Sequence, residues 1–242
     1  VSILVLETGD PVVSVSQRGR FADFIRESAG EAWSGPWRVH DVRTDDPLPA
    51  LEGASAFVIT GSPSSVTERA SWMLRAEEYV RAIVAAQVPL LGICFGHQLI
   101  AQALGGHVAK NPRGREVGTV SVERGGTTDA ELLFTGLPRV FDVNVSHVDS
   151  VVRLPLEARV LASTALEPTA AFALRDRVWG VQFHPEFDGD IVRSYVRARA
   201  DRMTEEGLDP DATYAGVRDA THGREVLRNF VRECVVGSKR AA

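Results

Sequence analysis

Lysine is almost absent from this chain: Lys110 and Lys239 are the only two among 27 basic residues. Such a bias follows from the base composition of a genome and carries no functional reading. Cysteine is as scarce, with only Cys94 and Cys234. A disulfide scaffold is therefore excluded, and the two thiols read as reduced. Positive charge is not in excess either, since 32 acidic side chains against 27 basic ones give a net charge of −5. No basic field is left to favour nucleic acid or an anionic membrane. No apolar run approaches the roughly 18–20 residues of a membrane span. Residues 1–7 are apolar but lack a preceding basic stretch and a small-residue cleavage site. They read as a first strand rather than a signal peptide, and a cytoplasmic protein is expected. Without a secretion signal, the glycosylation pattern Asn144-Val145-Ser146 reads as chance. Phosphate-loop and dinucleotide glycine motifs are missing. His40, His97, His107 and His222 stand in no metal-ligand spacing with acids or cysteines. No metal, nucleotide or organic cofactor is expected.

What is present is a chain of 242 residues, 44% hydrophobic and 24% charged, enough to bury a sizeable core without staples. Short runs of Val, Ile and Leu alternate with longer amphipathic stretches, the pattern of an α/β protein with a buried parallel sheet. Strands are expected at 1–7, 37–42, 56–60 and 88–93, with helices at 18–28, 71–87 and 96–104. Short strands linked by turns follow at 117–123, 141–146, 151–154, 159–163, 169–174 and 178–183. Two helices, 188–202 and 222–236, close the chain, joined through an acidic turn-forming connector at 205–211. From Asp188 onward ten acidic side chains face ten basic ones, so this part reads as a solvated helical surface. With no repeat or low-complexity linker, residues 1–242 are expected to form one domain.

The chemistry concentrates in two stretches. In Gly92-Ile93-Cys94-Phe95-Gly96-His97-Gln98 an apolar strand runs into a cysteine and a helix begins at once. Gly92 and Gly96 permit the sharp turn and close packing of a nucleophile elbow. A thiol there sits at the carboxyl end of a strand and near a helix N-terminus, which favours thiolate. The competing reading is a buried core cysteine. The second stretch is Gly180-Val181-Gln182-Phe183-His184-Pro185-Glu186. A buried strand ends at His184, and Pro185 stiffens the step to Glu186. His184 could withdraw the thiol proton while Glu186 fixes its tautomer; a capping histidine and a helix N-terminal acid are the plainer alternative.

Together these blocks resemble class I glutamine amidotransferase domains, as do Ile59-Thr60-Gly61-Ser62-Pro63 and Ser146-His147-Val148-Asp149. The blocks follow the family's order over residues 1–187. The resemblance implies a flavodoxin-like open, mostly parallel sheet flanked by helices, with a small antiparallel strand excursion and a C-terminal helical extension. It also implies a triad of Cys94 as nucleophile, His184 as base and Glu186 as its orienter. The oxyanion would be held by the backbone N–H of Phe95 and by one from Gly61 or Ser62. Gln98, one helical turn after Cys94, would contact the substrate, as would the backbone around Ser146 and His147. The reaction implied is hydrolysis of the glutamine side-chain amide through a γ-glutamyl thioester.

Two departures shape the reading. Ser62 stands where most of the family has a second glycine, and a serine there resembles the γ-glutamyl peptidase branch. Residues 188–222 form an insertion before a closing helix, either a wall of the site or a surface elaboration. The family's ammonia normally goes to a synthetase, for which this chain has no room. The expected function is therefore a stand-alone amidotransferase delivering ammonia to a synthetase subunit. A partner-independent γ-glutamyl peptidase is the alternative enzyme, and an inactive binding or regulatory module the reading from another class.

Overall fold

The computed structural model describes residues 1–125 and 131–237; Lys239 and the side chain of Cys234 lie outside the described residues. In chain order the strands are β1 (Ser2–Glu7), β2 (Trp37–Asp41), β3 (Ala54–Ile59), β4 (Leu90–Ile93), β5 (His107–Lys110), β6 (Glu116–Arg124), β7 (Val140–His147), β8 (Asp149–Arg153), β9 (Ala158–Ser163), β10 (Ala171–Leu174) and β11 (Val178–Val181). The helices are α1 (Val13–Ser16), α2 (Phe21–Ala29), α3 (Ser71–Ala85), α4 (Phe95–Ala103), α5 (Gly189–Ala198), α6 (Ala200–Glu205), α7 (Pro210–Gly216) and α8 (Thr221–Asn229).

Nine strands form one sheet in the order β2-β1-β3-β4-β11-β10-β9-β6-β7. The first five are parallel, and the remaining four continue the sheet antiparallel. A separate two-stranded antiparallel sheet pairs β5 with β8. Inside the edge strand β2, the parallel strands β1, β3, β4 and β11 are buried almost throughout because both faces are covered. Ile3 and Val5 join a cluster with Ile25 of α2 and Val226 and Leu227 of α8. Leu4 and Leu6 face the other way, toward Met73 and Val80 of α3 and Leu99 and Ile100 of α4.

Where β4 hands over to α4, backbone passes against backbone. A Cβ on Gly96 would collide with the Ile59 carbonyl oxygen of β3, and one on Gly92 with the Gly96 carbonyl oxygen. Neither obstacle is a side-chain end that can swing away, so the elbow cannot relax around a methyl group. Gly96→Ala is expected to cost about 3 kcal/mol, at the upper end of ordinary overpacking. Equilibrium urea unfolding measures it, and a change below about 0.5 kcal/mol would show that the elbow gives.

The inserted segment differs from its expected form. The apolar periodicity of 188–202 suggests one helix, but the chain kinks at Arg199 (φ −115°, ψ 6°), dividing α5 from α6. The acidic connector is only partly a turn: Asp209 caps α7, accepting from the N–H groups of Asp211 and Ala212 at 2.9 Å, and Pro210 starts the helix as a first-turn proline can. The final helix widens after Asn229 into a π-type winding over Phe230–Gly237. The insertion buries Ile191, Val192, Tyr195, Val196, Met203 and Val217 in a third cluster with Val15, Phe21, Phe24 and Phe187. Shared burial with α2 and the His-Pro-Glu-Phe turn fixes it over the carboxyl ends of the parallel strands.

Candidate active site

Cys94 sits between β4 and α4 with φ 51° and ψ −102°. That left-handed backbone is costly for a residue with a Cβ and persists only where its surroundings enforce it. Three bonds do so: Cys94 N–H donates to the Val181 carbonyl at 2.8 Å, Gly96 N–H to the Thr60 carbonyl at 3.1 Å, and Gln98 N–H to the Cys94 carbonyl at 3.1 Å. The residue is 6% exposed, yet its side chain lines two cavities.

His184 follows β11, the strand beside β4, which is why two stretches 90 positions apart in sequence meet. Its Nδ1 lies 2.8 Å from Glu186 Oε1, and its ring stacks on Phe187 at 4.0 Å between centroids. The turn that carries the pair is braced from outside. Asn144 accepts the His184 N–H on its backbone carbonyl at 2.8 Å and donates its side-chain amide to the Phe187 carbonyl at 3.1 Å. Asn144 is 1% exposed, so the sequon it opens is spent on this turn.

Burial pushes the Cys94 thiol up, but the His184 charge and the hydrogen bond between the two side chains pull it down, helped by His147, and the net shift is downward. Burial also works against a charged His184. The neighbouring Glu186 and Cys94 charges, with hydrogen bonds to both, outweigh it and raise the imidazole to about 10. Both shifts act in the direction of a thiolate beside an imidazolium. His97 is a contrast: burial holds it neutral, down to about 3, against the Phe172 ring.

The Gly61-Ser62 loop passes directly over this pair. A Cβ on Gly61 would lie 3.0 Å from His184 Cε1 and 3.8 Å from the Cys94 Cβ. Thr8 holds the loop, donating from Oγ1 to the Gly61 carbonyl at 2.9 Å and accepting the Ser62 hydroxyl on its own carbonyl at 2.7 Å. The serine side chain thus braces the loop. Among the described residues, no hydrogen bond uses the backbone N–H of Gly61, Ser62 or Phe95; the last belongs to the first turn of α4, whose donors have no intrahelical acceptor.

Beside Cys94 opens a cavity of about 620 Å³ that also reaches Gln98, Ser146 and His147. Gln98 gives its amide nitrogen to the Asp149 carbonyl at 3.0 Å and to Gln182 Oε1 at 2.9 Å, which leaves its oxygen to meet a ligand. Ser146 Oγ is buried without a partner among the described residues. Both His147 nitrogens are engaged, Nε2 with Glu116 Oε2 at 3.1 Å and Nδ1 with the Asp149 carbonyl at 3.0 Å, so only its backbone is left for a substrate. Burial lowers this imidazole, yet the hydrogen bond and charge of Glu116 and the charge of Cys94 raise it overall. The far wall is the insertion: Arg199, Arg202, Glu205 and Glu206 line the same cavity, and Arg115 locks the wall with bonds of 2.7 and 3.0 Å to Glu206. The insertion was open to a wall role from the sequence, but no motif singled out these residues, which sit on α6 and its two ends, where no glycine or proline announces the offset from α5. Among the described residues no group of three or more His, Cys, Asp or Glu side chains could hold a metal ion, and no helix is long and apolar enough to cross a membrane.

Fold and site together define an open α/β sheet carrying a thiol at a strand-to-helix elbow beside a buried His-Glu pair. The chain belongs to the class-I glutamine amidotransferase family, whose model, Glutamine amidotransferase class-I, matches residues 34–196. It is 44% identical over 191 residues to GMP synthase [glutamine-hydrolyzing] of Aeropyrum pernix, a match covering 79% of this chain and 29% of that protein. It is 30% identical over 165 residues to Gamma-glutamyl peptidase 4 of Arabidopsis thaliana, covering 67% of this chain and 65% of that one. A solved glutamine amidotransferase of Thermotoga maritima shares the fold with a TM-score of 0.76 at 23% identity, over 97% of this chain and 98% of that one. The chain thus spans under a third of the Aeropyrum GMP synthase. The matched family region ends inside α5, before Arg199.

Proposed function

We propose that the chain hydrolyses the side-chain amide of glutamine or a related γ-glutamyl compound, with Cys94, His184 and Glu186 as its triad. The observation that carries this reading is Cys94 at the strand-to-helix elbow, sharing a cavity with an imidazole whose other nitrogen is fixed by Glu186 at 2.8 Å. Cys94 Sγ attacks the amide carbon and the oxyanion forms between the Phe95 N–H and one from Gly61 or Ser62. His184 passes its Nε2 proton to the departing nitrogen, which leaves as ammonia or an amine. A water, giving its proton to His184, then opens the thioester, and glutamate and free thiolate result. Gln98 and the backbone of Ser146 and His147 hold the glutamyl end. In this reading residues 1–242 act as one amidotransferase-like domain, with 188–222 as a helical insertion, and ammonia passes to a synthetase subunit. The γ-glutamyl peptidase reading is supported by the walled cavity and by the Arabidopsis relative.

The test is glutamate release by the purified protein from L-glutamine, γ-glutamyl peptides and L-asparagine, together with alkylation by iodoacetamide. Glutamine turnover is expected, with none of asparagine, whose carbonyl falls one methylene short. Because the thiol is shifted downward, thiolate persists above the lowered value and is lost only as pH falls through it. Cys94 labelling should therefore set in at lower pH than that of an ordinary thiol and decline as pH falls, faster at every point than labelling of Cys234. Absence of turnover on every γ-glutamyl compound, or a rate climbing through about 8.5 as for a free thiol, would overturn the assignment.

A further inference from the structure

Cys94 borders a second cavity, of about 180 Å³, which unlike the larger one is lined by His184. The proposed reaction says which cavity takes which half of the substrate. His184 Nδ1 is committed to Glu186, so the proton for the departing nitrogen comes from Nε2. The leaving amine must then lie on the His184 side, in the second cavity. The glutamyl end lies opposite, with Gln98 and His147 in the first. Ammonia, like one water molecule, needs about 10–15 Å³ of such space; the second cavity is over ten times that. Its wall is largely apolar, from Val12, Phe21 and Tyr195, with Arg199 at the junction of the two cavities.

Among the described residues no carboxylate forms an ion pair with Arg199, and the Cys94 charge, with that of Tyr195, is what supports its cation. Its buried Nε has no hydrogen-bond partner among the described residues, and its guanidinium stands 5.4 Å from the centre of the Tyr195 ring. Burial, and next to it the charge of Arg115, lower its pKa, the direction expected of a guanidinium lacking an acid. Asp10, the acid lining this cavity, is held by Arg43 at 2.7 Å and Arg20 at 3.9 Å. An unpaired, partly desolvated guanidinium beside an apolar slot suits a planar carboxylate carried on an apolar stem.

Resting on the thioester reading above, we propose that this cavity is a leaving-amine subsite for γ-glutamyl amino acids: Val12, Phe21 and Tyr195 receive the side chain of the departing residue and Arg199 its carboxylate. Arg199 is then a specificity-determining residue contributed by the insertion. The glutamyl half and the covalent step are those already described, with an amino acid leaving in place of ammonia.

The experiment compares kcat/KM for L-glutamine, γ-glutamyl-valine and γ-glutamyl-isobutylamide, which is the valine compound without its carboxylate. Wild type should favour the valine compound over the isobutylamide by about tenfold or more, because the amide leaves Arg199 unpaired. Arg199→Met should erase most of that ratio, and Arg199→Lys, which keeps the charge but not the fork, should erase less. If Arg199→Met fails to fold, the wild-type ratio and the lysine variant decide. Turnover of glutamine with neither larger amide would overturn the subsite and leave the thioester reading standing. A wild-type ratio near one, or an equal loss on all three substrates in Arg199→Met, would overturn the role of Arg199. No turnover of any of the three would overturn both readings.

Discussion

Replacing Cys94 by alanine is expected to lower glutamine hydrolysis by roughly 10⁴-fold or more, the loss that follows removal of a nucleophile from a triad. At 1.36 kcal/mol per decade this is about 5.5 kcal/mol or more of transition-state stabilisation, attributed to one sulfur atom. The fold should survive, because the elbow is held by backbone bonds from Cys94 and Gly96 to Val181 and Thr60 rather than by the thiol. Steady-state kinetics with a thermal melt separates the two effects. A melting temperature like wild type with activity at background is the expected pair of results. Residual activity above about a hundredth of wild type would mean that another group performs the attack.

Removing His184 should cost both activity and stability. The Glu186 side chain is fully buried, and its second oxygen, Oε2, has no partner among the described residues. His184→Ala would leave the carboxylate buried with nothing to pair it, at about 3–5 kcal/mol, or a fall in melting temperature of roughly 6–20 °C for a chain of this size. Activity should fall by roughly 10⁴-fold or more, since base and acid are lost together. Pairing His184→Asn with Glu186→Gln removes the stranded charge and should recover most of the melting temperature but none of the activity. Differential scanning calorimetry beside glutamate release measures both; a double variant as unstable as His184→Ala would show that the carboxylate is not the source of the loss.

The sheet and the elbow were legible because they rest on local rules. A strand buried on both faces reads as an unbroken apolar run, as in residues 1–7 and 88–93, and a glycine is needed wherever backbone meets backbone, as at Gly92 and Gly96. What depends on register was not legible. Glu116 and His147 stand directly opposite each other across β6 and β7, a pairing 31 residues apart that the alternation of either strand alone does not fix. β5 was missed because four residues with two polar ends carry little pattern. The charge balance from Asp188 onward suggested a solvated helical surface and missed the buried face of Ile191, Val192, Tyr195 and Val196. It gave no reason to stop the helix at Arg199, where the N–H is shared between the Tyr195 and Val196 carbonyls at 3.1 and 3.2 Å. That tightened turn places a charged side chain beside Cys94, and it is set by packing on α2 and Phe187 rather than by a breaker residue.

The most direct measurement on the central claim is to quench the protein during glutamine turnover with acid, digest it and map adducts by mass spectrometry. A γ-glutamyl thioester on the peptide containing Cys94, absent from Glu186→Gln at early times and from Cys94→Ala at all times, is the predicted result. Turnover with Cys94 unmodified throughout, or with the adduct on the peptide containing Cys234, would contradict it.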